Sequence, residues 1–359
     1  MSHTVFFDPS CPKPYDTRTL RNEAMGGSEA TLVRIAECQD ALVVQHNRTA
    51  IYGRYHPPMR MPAIKHVVIN RDSRALKTVR GLYPHARIFL WLHDRVEPRS
   101  RRARWLASTA DLLRETATHI VCVSDFQRRG VEATLRAIGV HDRVRASTIY
   151  NPVDDSLVPD DSVVDPDTLI FFSSPNKGLK FALDAFRAMR ARMPSLRLLV
   201  ANPGYRDEGS IDVAGVVNLG PQPQHRLHVD VRSALATFAP NWLIPETFGL
   251  VYAESLALGT PVLTHDCGAA LEIIGDARQV LPIARSARVY EAVFGKLPPH
   301  WRRFPASVAA RLGLFDAYVE RIRSWRRGDR PRVGLDPRFR LTRVAAQWRS
   351  LLGEVAGPI

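Results

Sequence analysis

Residues 245–262 read PETFGLVYAESLALGTPV, and this stretch predicts a loop, a tight turn and a buried helix. The carboxylate of Glu246 precedes the helix, and Glu254 follows about two helical turns later. The first amides of a helix lack an internal partner and the helix dipole is positive there, so the turn predicts an anion site. Two acids beside such a site favour a ligand with both phosphates and hydroxyls, such as a nucleotide sugar. An ordinary capped helix with two solvated acids fits the stretch equally well.

The composition predicts a folded protein of two domains. The chain has 359 residues, which suits domains of about 150 residues each. Hydrophobic residues make up 45% and charged residues 24%, so the chain can bury sizeable cores and is not disordered. The four cysteines have no paired spacing, which favours free thiols in a reducing cytosol over a metal site or a disulfide framework.

The predicted location is cytoplasmic. No run of the sequence reaches the about 18 apolar residues that a membrane-spanning helix needs. Residues 1–8 lack the basic region and the apolar core of a signal peptide, and they are typical of a first strand instead.

The charge balance is strongly basic, with 50 lysines and arginines against 36 acids and a formal net charge of +14. Nucleic acid, an anionic membrane face or anionic substrates could each explain this excess. Much of it is arginine in the regions Arg95–Arg104 and Arg302–Arg349. A solvated surface of a protein from an arginine-rich proteome is an equally good interpretation.

Apolar runs alternate with helical patterns almost throughout, and this alternation predicts parallel α/β sheets. The acidic, proline-bearing stretch Asn151–Pro166 is interpreted as a linker. We expect domains at residues 1–151 and 152–325, then a basic helical segment at 326–359 that packs back on the first domain. A single basic helix is expected at about residues 101–116, and a largely helical chain from about Ala287.

Candidate ligand-binding loops follow four of the predicted strands. Ligands of open α/β domains bind at the carboxyl ends of the strands, where such loops meet. Their shared position predicts two facing domains that close over one ligand. The loops are Gly26-Gly27, His93-Asp94, Ser173–Gly178 and Pro245–Leu250.

Two of these loops belong to the first domain. Glycine at 26 and 27 would let the backbone approach a phosphate or sugar closely, although glycine pairs mostly form turns. His93 beside Asp94 is placed to hydrogen-bond a sugar hydroxyl, although a lone histidine is more often structural. A second His-Asp pair occurs at His265-Asp266. We favour His93 as the sugar-binding histidine, because the second pair is joined to a Cys-Gly turn.

The Ser173–Gly178 loop carries a lysine that could neutralise a diphosphate. Beside Lys177, the hydroxyls of Ser173 and Ser174 and the loop amides could add hydrogen bonds to the diphosphate, and an exposed loop lysine is the alternative interpretation. Asp165-Pro166-Asp167 mimics an Asp-x-Asp metal motif but lies in the predicted linker, so no metal site is predicted.

Taken in chain order, these motifs resemble a known family. They are Gly26–Glu29, Trp91–Asp94, Ser124, Tyr150–Asp154, Ser173–Leu179, Leu219-Gly220, Glu246–Glu254, Gly259–Val262 and Glu272. In this order they resemble the retaining GT-B glycosyltransferases of family four, in a subgroup with a Ser-Ser-Pro loop. The likeness covers roughly residues 1–285, and the block from Glu246 to Glu254 is its most specific part.

The resemblance implies an α/β fold of the GT-B type, with two Rossmann-like domains facing across a cleft. It implies a retaining transfer of a hexose from a UDP- or GDP-sugar to a hydroxyl of a glycan or lipid-linked acceptor, in cell-surface polysaccharide synthesis. The reaction would need neither a metal nor another cofactor. The Arg95–Arg104 region would then contact an anionic membrane surface, which makes the protein peripheral on the inner face of the membrane.

The resemblance also implies a role for each motif residue. Glu246 would contact the donor sugar and support the developing positive charge, His93 would bind the transferred sugar, and Gly27 would lie near the reaction centre. Glu254 would hold the ribose. The expected sugar- and diphosphate-binding residues are Gly26, Ser173, Ser174, Lys177, Phe248, Gly249, Leu250 and Gly268. Asp94 and Arg95 are expected on the acceptor side.

The sequence departs from the family pattern at the diphosphate loop. Many relatives place Gly-Arg-Leu before the Lys-Gly pair, whereas this chain has Ser173-Ser174 and a single lysine there. The domain junction has Asn151-Pro152 where Asn-Gly is usual, so that turn is stiffer.

Two other classes of function remain open at this stage. One is a different GT-B activity, either a nucleotide-sugar epimerase or a phosphorolytic enzyme. The other is a nucleic-acid-binding protein, which the sequence pI of about 10.1 motivates. The sequence shows no recognisable nucleic-acid module, and its basic residues are not interleaved with aromatic ones, so no nucleic-acid partner is predicted.

Overall fold

The computed structural model describes residues 3–202, 211–241, 244–282, 313 and 315–353. These residues divide into two compact units. The first contains the residues up to Leu20, Gly26–Asp155 and the residues from Asp336 onwards, and the second contains Arg21–Met25 and Ser156–Leu335. The first unit thus extends to Asp155 and not to residue 151, and residues 326–335 lie in the second unit.

A parallel sheet forms the centre of the first unit. Its strands are β1 (Thr4–Asp8), β2 (Leu42–Gln45), β3 (Tyr55–His56), β4 (His66–Asn70), β5 (Arg87–Leu92), β6 (His119–Cys122) and β7 (Ala146–Thr148). Their order in the sheet is β3-β2-β1-β4-β5-β6-β7. Strands of such a sheet are covered on both faces, and accordingly Ile88–Leu92 of β5 are all buried.

Helices connect these strands. They are α1 (Thr17–Asn22), α2 (Gly27–Cys38), α3 (Leu76–Leu82), α4 (Arg101–Ser108), α5 (Ala110–Glu115) and α6 (Asp125–Ala137). The single basic helix expected over 101–116 is wrong, because Thr109, with φ −118° and ψ 15°, leaves the helical conformation between α4 and α5. Ser100 and Ser124 cap α4 and α6 by accepting backbone N–H groups through their side-chain oxygens.

The second unit repeats this plan. Its strands are β8 (Asp165–Phe171), β9 (Arg197–Asn202), β10 (Val216–Pro221), β11 (Ala234–Phe238), β12 (Val262–His265) and β13 (Val280–Leu281). They pair in parallel in the order β10-β9-β8-β11-β12-β13. Its helices are α7 (Leu179–Arg190), α8 (Gln224–Ser233), α9 (Leu250–Ala257), α10 (Ala270–Ile274) and α11 (Asp316–Ser324).

Two predictions concern the helices: a largely helical chain from about Ala287, and the lack of a run long enough to form a membrane-spanning helix. The start of the helical chain near Ala287 falls outside the described residues. Across the described ranges, no helix combines the length and the apolar character needed to span a bilayer.

The helix α12 (Leu341–Leu352) lies in the first unit, although the whole second unit precedes it in the chain. Its Trp348 is fully buried. The Trp348 ring centroid lies 5.7 Å from that of Phe6 on β1 and 4.8 Å from that of Trp91 on β5. Gln39 at the end of α2 donates through Nε2 to the Ala345 carbonyl oxygen at 2.8 Å. The helix α12 is therefore part of the first core.

Truncating Trp348 should destabilise the first unit. Trp348→Ala removes a fully buried aromatic side chain, so we expect a loss of about 3–5 kcal/mol in the free energy of unfolding. Urea denaturation measures it, with the exposed neighbour Gln347→Ala as the control. Equal losses in the two variants would contradict a core role for Trp348.

Candidate active site

The topology of the second sheet predicts where a ligand binds. The chain runs from β8 outward through β9 and β10, then returns to place β11 on the other side of β8. A crevice opens at the carboxyl ends of two strands where the strand order reverses in this way. The Ser173–Gly178 loop leaves β8 at this point, and the loop that carries Glu246 leaves β11.

A salt bridge joins these two loops. Lys177 Nζ donates to Glu246 Oε2 at 2.8 Å. The Glu246 side chain is 9% exposed and that of Lys177 is 36% exposed. Burying a carboxylate is costly unless it is paired, so this contact fixes Glu246 in place. Glu246, which is expected to bind the sugar, and Lys177, which is expected to bind the diphosphate, are therefore in direct contact with each other.

A close backbone contact also holds Glu246. Gly268 forms a parallel bridge with Glu246, and the Ala269 N–H donates to the Glu246 carbonyl oxygen at 2.9 Å. Gly268 has φ +70°, and a Cβ atom there would lie 2.4 Å from that oxygen. Only glycine fits this position without displacing the loop. The sequence assigned Gly268 to the donor, and the structure gives it a direct contact with the Glu246 backbone.

The start of α9 depends on a second glycine. Gly249 has φ +86°, and a Cβ atom there would lie 2.4 Å from a ring carbon of Tyr252. Phe248 is buried in the core, so only its backbone remains for a ligand, and the half-buried Leu250 begins the helix. The first amides of α9 thus follow directly on the Glu246 loop.

Glu254 lies in the second turn of α9 and is buried. Gln224, the first residue of α8, donates through Nε2 to Glu254 Oε1 at 3.5 Å. No motif in the sequence singles out Gln224, because its role depends on the packing of α8 near α9.

A backbone hydrogen bond shapes one loop of the second unit, and a side chain shapes the other. Ser173 and Ser174 are buried, and the Lys177 N–H donates to the Ser174 carbonyl oxygen at 2.8 Å in a short 3₁₀ turn. Asn241 donates through Nδ2 to the Ile244 carbonyl oxygen at 2.6 Å and accepts the Ile244 N–H at 3.2 Å. Asn241 therefore fixes the approach to Glu246, a role that the sequence analysis missed.

The first sheet reverses its strand order between β1 and β4. Gly26 caps α2 on this side, and α2 begins at Gly27. Gly26 has φ −65°, which other residues adopt readily, so its backbone conformation does not require glycine. The assignment of both glycines to a ligand remains a prediction.

Arg71, directly after β4, is the most distinctive residue on this side and was missed by the sequence analysis. It has φ +65°, a left-handed conformation that is uncommon outside glycine. Its Nε and Nη2 donate to Asp94 at 3.2 and 3.3 Å, and its Nη1 donates to Ser28 Oγ at 3.2 Å. Glu29 lies 3.6 Å from the same guanidinium. Strained residues with shifted ionisation are concentrated at functional sites, which adds Arg71 to the candidates.

Burial and the charges around Arg71 together set the pKa values of Asp94 and His93. Burial alone would raise the pKa of Asp94, but Arg71 and Arg102, the latter 2.5 Å away, hold it below its usual value. Burial, with help from Arg71, lowers the pKa of His93 to about 3. His93 is therefore neutral near pH 7, and a neutral imidazole can both donate and accept a hydrogen bond.

Arg95, expected on the acceptor side, is exposed and forms a bidentate pair with Glu97. The second histidine pair is structural, since buried His265 hydrogen-bonds Tyr318 and the Leu281 carbonyl oxygen. Asp165 and Asp167, the apparent metal motif, pair with Arg197 and Arg326.

The chain is similar in sequence to known glycosyltransferases. Residues 166–294 match the family model described as "Glycosyl transferases group 1". The chain is similar to the phosphatidyl-myo-inositol mannosyltransferase of Mycolicibacterium smegmatis, with 30% identity over 212 residues, 55% of this chain and 53% of that protein. It is also similar to the lipopolysaccharide 1,2-N-acetylglucosaminetransferase of Salmonella typhimurium, with 22% identity over 230 residues, 58% of this chain and 57% of that protein. The chain thus spans about half the length of the curated relatives it matches.

Solved structures resemble the chain over nearly its full length. Anabaena HepE in complex with UDP and glucose has a TM-score of 0.62 and 15% identity, covering 98% of this chain and 100% of that one. Sucrose-phosphate synthase from Thermosynechococcus elongatus has a TM-score of 0.60 and 14% identity, covering 99% of each chain. The chain therefore has the GT-B fold with two Rossmann-like domains, as the sequence predicted.

Replacing Gly268 should disturb the Glu246 loop. Gly268→Ala and Gly275→Ala share a strained backbone, with φ +70° and +69°, but the new methyl group has space only at position 275. We expect both variants to lose about 1–2 kcal/mol from the free energy of unfolding, and Gly268→Ala to lose more. Chemical denaturation measures both. A loss for Gly268→Ala no larger than that for Gly275→Ala would contradict the close contact.

Removing Arg71 should change the titration of His93. Wild-type His93 stays neutral between about pH 5 and pH 8, because its pKa is about 3. Arg71→Ala removes a positive charge that opposes protonation, so the pKa of His93 should rise. NMR titration of the imidazole nitrogens, assigned with His93→Gln, measures this shift. Arg74→Ala, which breaks a pair between the exposed Arg74 and the buried Asp72, should leave it unchanged. An unchanged His93 pKa in Arg71→Ala would show that Arg71 does not control it.

Proposed function

We propose that this chain is a glycosyltransferase that moves a hexose from a nucleoside-diphosphate sugar to a hydroxyl of an acceptor. One observation carries the proposal: the buried Glu246 meets Lys177 at the strand-order reversal of the second sheet. Both residues lie inside the segment that matches the glycosyltransferase family model.

The residues of the second unit suit the parts of such a donor. Lys177 and the first amides of α9 provide positive potential for the diphosphate. Glu246 accepts hydrogen bonds from sugar hydroxyls and stabilises positive charge that develops on the sugar ring. Glu254, held beside Gln224, accepts the ribose hydroxyls. His93 of the first unit supplies a neutral group for a sugar hydroxyl, and Asp94 is assigned to the acceptor.

We further propose a retaining, metal-independent reaction. Lys177 and the backbone amides would stabilise the departing diphosphate, which would help the acceptor hydroxyl to lose its proton. The bond from the anomeric carbon to the diphosphate oxygen breaks as the bond to the acceptor oxygen forms on the same face. A UDP- or GDP-sugar is the proposed donor, and a glycan or lipid-linked molecule is the proposed acceptor. The inositol- and lipopolysaccharide-directed transferases among the relatives support this acceptor class.

The surface of α4 supports contact with an anionic membrane. Arg101 and Arg104 of α4 are exposed, as is Arg99 just before the helix, and the salt bridges within the described residues include none of the three. Trp105 lies among the guanidinium groups of Arg74, Arg101 and Arg102, at 3.7, 4.8 and 4.1 Å from its ring centroid. Such a basic surface is attracted to anionic lipids by about 1 kcal/mol for each arginine near the membrane.

Glu246 and Lys177 variants should separate turnover from donor binding. A thermal-shift panel of UDP-, GDP-, ADP- and dTDP-sugars first selects the donor. Glu246→Gln should keep nucleotide affinity but lower the release of nucleoside diphosphate at least about 100-fold, because the carboxylate charge is lost. Lys177→Ala should weaken nucleotide binding at least about tenfold. Lys180→Ala, an exposed lysine one residue into α7, is the matched control.

Three outcomes would count against these assignments. Stabilisation by none of the nucleotides would contradict the proposed donor class. Normal turnover in Glu246→Gln would contradict the role of this carboxylate. Isomerisation or phosphorolysis of the donor without an acceptor would favour the epimerase or phosphorolytic alternative.

Charge reversal on α4 should abolish binding to anionic vesicles. We expect the wild type to float with phosphatidylserine-containing liposomes at low salt and to be released at high salt. The double variant Arg101→Glu and Arg104→Glu should stay in the soluble fraction. Arg136→Glu with Arg143→Glu makes the same charge change at exposed positions elsewhere in the unit. Equal flotation of the two double variants would argue against α4 as the contact surface.

A further inference from the structure

An open cleft of about 820 Å³ lies at the edge of the first sheet. Its volume is within the range of about 300–1,000 Å³ that is usual for small-ligand sites. Its walls come from the start of α1, the end of α2 and the turn before β3, all within the first unit. The side chains that carry the argument are Thr17, Arg18, Asp40, Tyr52, Arg54 and Tyr55.

This cleft lies away from the candidate active site. Leu42 and Tyr55, which contribute to its wall, are the first residues of β2 and β3, so the cleft is at the amino ends of these parallel strands. Arg71 and His93 follow the carboxyl ends of β4 and β5 in the same sheet. The candidate active site therefore does not explain the polar and aromatic side chains of this cleft.

The walls of the cleft are held rigidly. Tyr52 and Tyr55 exchange two backbone hydrogen bonds of 2.9 Å across a tight turn in which Gly53 has φ +55°. Arg54 Nη1 donates to the carbonyl oxygens of Ala36 and Ala41 at 3.3 and 3.1 Å. The Tyr55 and Thr17 hydroxyls are 3.0 Å apart. A rigid wall loses little entropy when it binds a ligand.

The chemistry of the cleft suits a sugar ring. Tyr52 keeps 43% of its surface exposed, with the Arg18 guanidinium 5.2 Å from its ring centroid. The exposed Asp40 carboxylate lies 3.4 Å from Arg54 Nη1. A pyranose has an apolar C–H face that can pack on an aromatic ring, and vicinal hydroxyls that a carboxylate and a guanidinium can share. A tyrosine ring beside a carboxylate and guanidinium groups provides both kinds of contact.

We infer that this cleft is a glycan-binding subsite, which takes a pyranose unit of the acceptor chain at a distance from the site of transfer. The choice of a glycan rests on the proposed function. Binding one unit here raises the effective concentration of the rest of the chain near the same protein. The subsite therefore makes long acceptors better substrates than short ones and leaves donor binding unchanged.

Oligosaccharide binding to the full chain tests this inference. The probes are maltotriose, mannotriose, cellotriose and chitotriose, measured by saturation-transfer NMR. At least one of them should bind the wild type. Tyr52→Ala should weaken that binding at least about fivefold, and Tyr52→Phe, which keeps the ring, should retain most of it. Ile51→Ala, at an exposed neighbour outside the cleft, should bind like the wild type.

The outcomes separate the subsite from the proposed function. No binding of any trisaccharide, or equal binding by wild type and Tyr52→Ala, would overturn the subsite. Nucleotide-sugar stabilisation is measured in the same preparations and should be equal in all of them. If no nucleotide stabilises any variant while trisaccharide binding depends on Tyr52, the proposed transfer activity fails and the glycan subsite stands.

Discussion

The pairing of a buried carboxylate with a cation is the constraint around which the second unit is arranged. Glu246 has little access to water, and Lys177 compensates it from the neighbouring loop. The two residues are far apart in the sequence, yet their loops leave adjacent strands, β8 and β11. Gly268 completes the arrangement because its missing side chain lets a third loop contact the Glu246 backbone. The strand order of the sheet brings these loops together, and the salt bridge and the Gly268 backbone contact hold them in place.

The two units share a strand order but use it differently. In the second unit, glycines with positive φ permit close contacts around one ion pair. In the first unit, a strained arginine lies among Glu29, Asp94 and Arg102. Burial, with help from Arg71, lowers the pKa of His93 and leaves it uncharged, whereas the second unit presents a lysine beside a carboxylate.

Much of the fold could be predicted from the sequence, because long apolar runs such as Arg87–Leu92 carry a strong strand signal. The two-residue strands β3 and β13 were missed because they are too short to show a period. The predicted linker extended too far, since β8 already begins at Asp165 despite Pro166. A proline is tolerated at the start of a strand. Assigning Pro166 to the linker therefore placed the end of the linker too late in the chain.

The candidate site was only partly predictable, and the reason is physical. The spacing of Glu246 and Glu254 can be recognised from the sequence alone. Arg71, Gln224 and Asn241 gain their roles from neighbours that only the folded chain supplies. For Gly268, the 2.4 Å between a Cβ atom and the Glu246 carbonyl oxygen explains the need for glycine, and the assignment of this residue to the donor remains a prediction.

The position of α12 has a consequence for how the protein is made. Trp348 completes a core whose aromatic residues Phe6 and Trp91 precede Ser156–Leu335 of the second unit in the chain. On the ribosome, α12 is therefore synthesised only after that part of the second unit. Domains generally fold as units during synthesis. Until α12 has been made, the side chains of β1 and β5 that pack on Trp348 lack this cover.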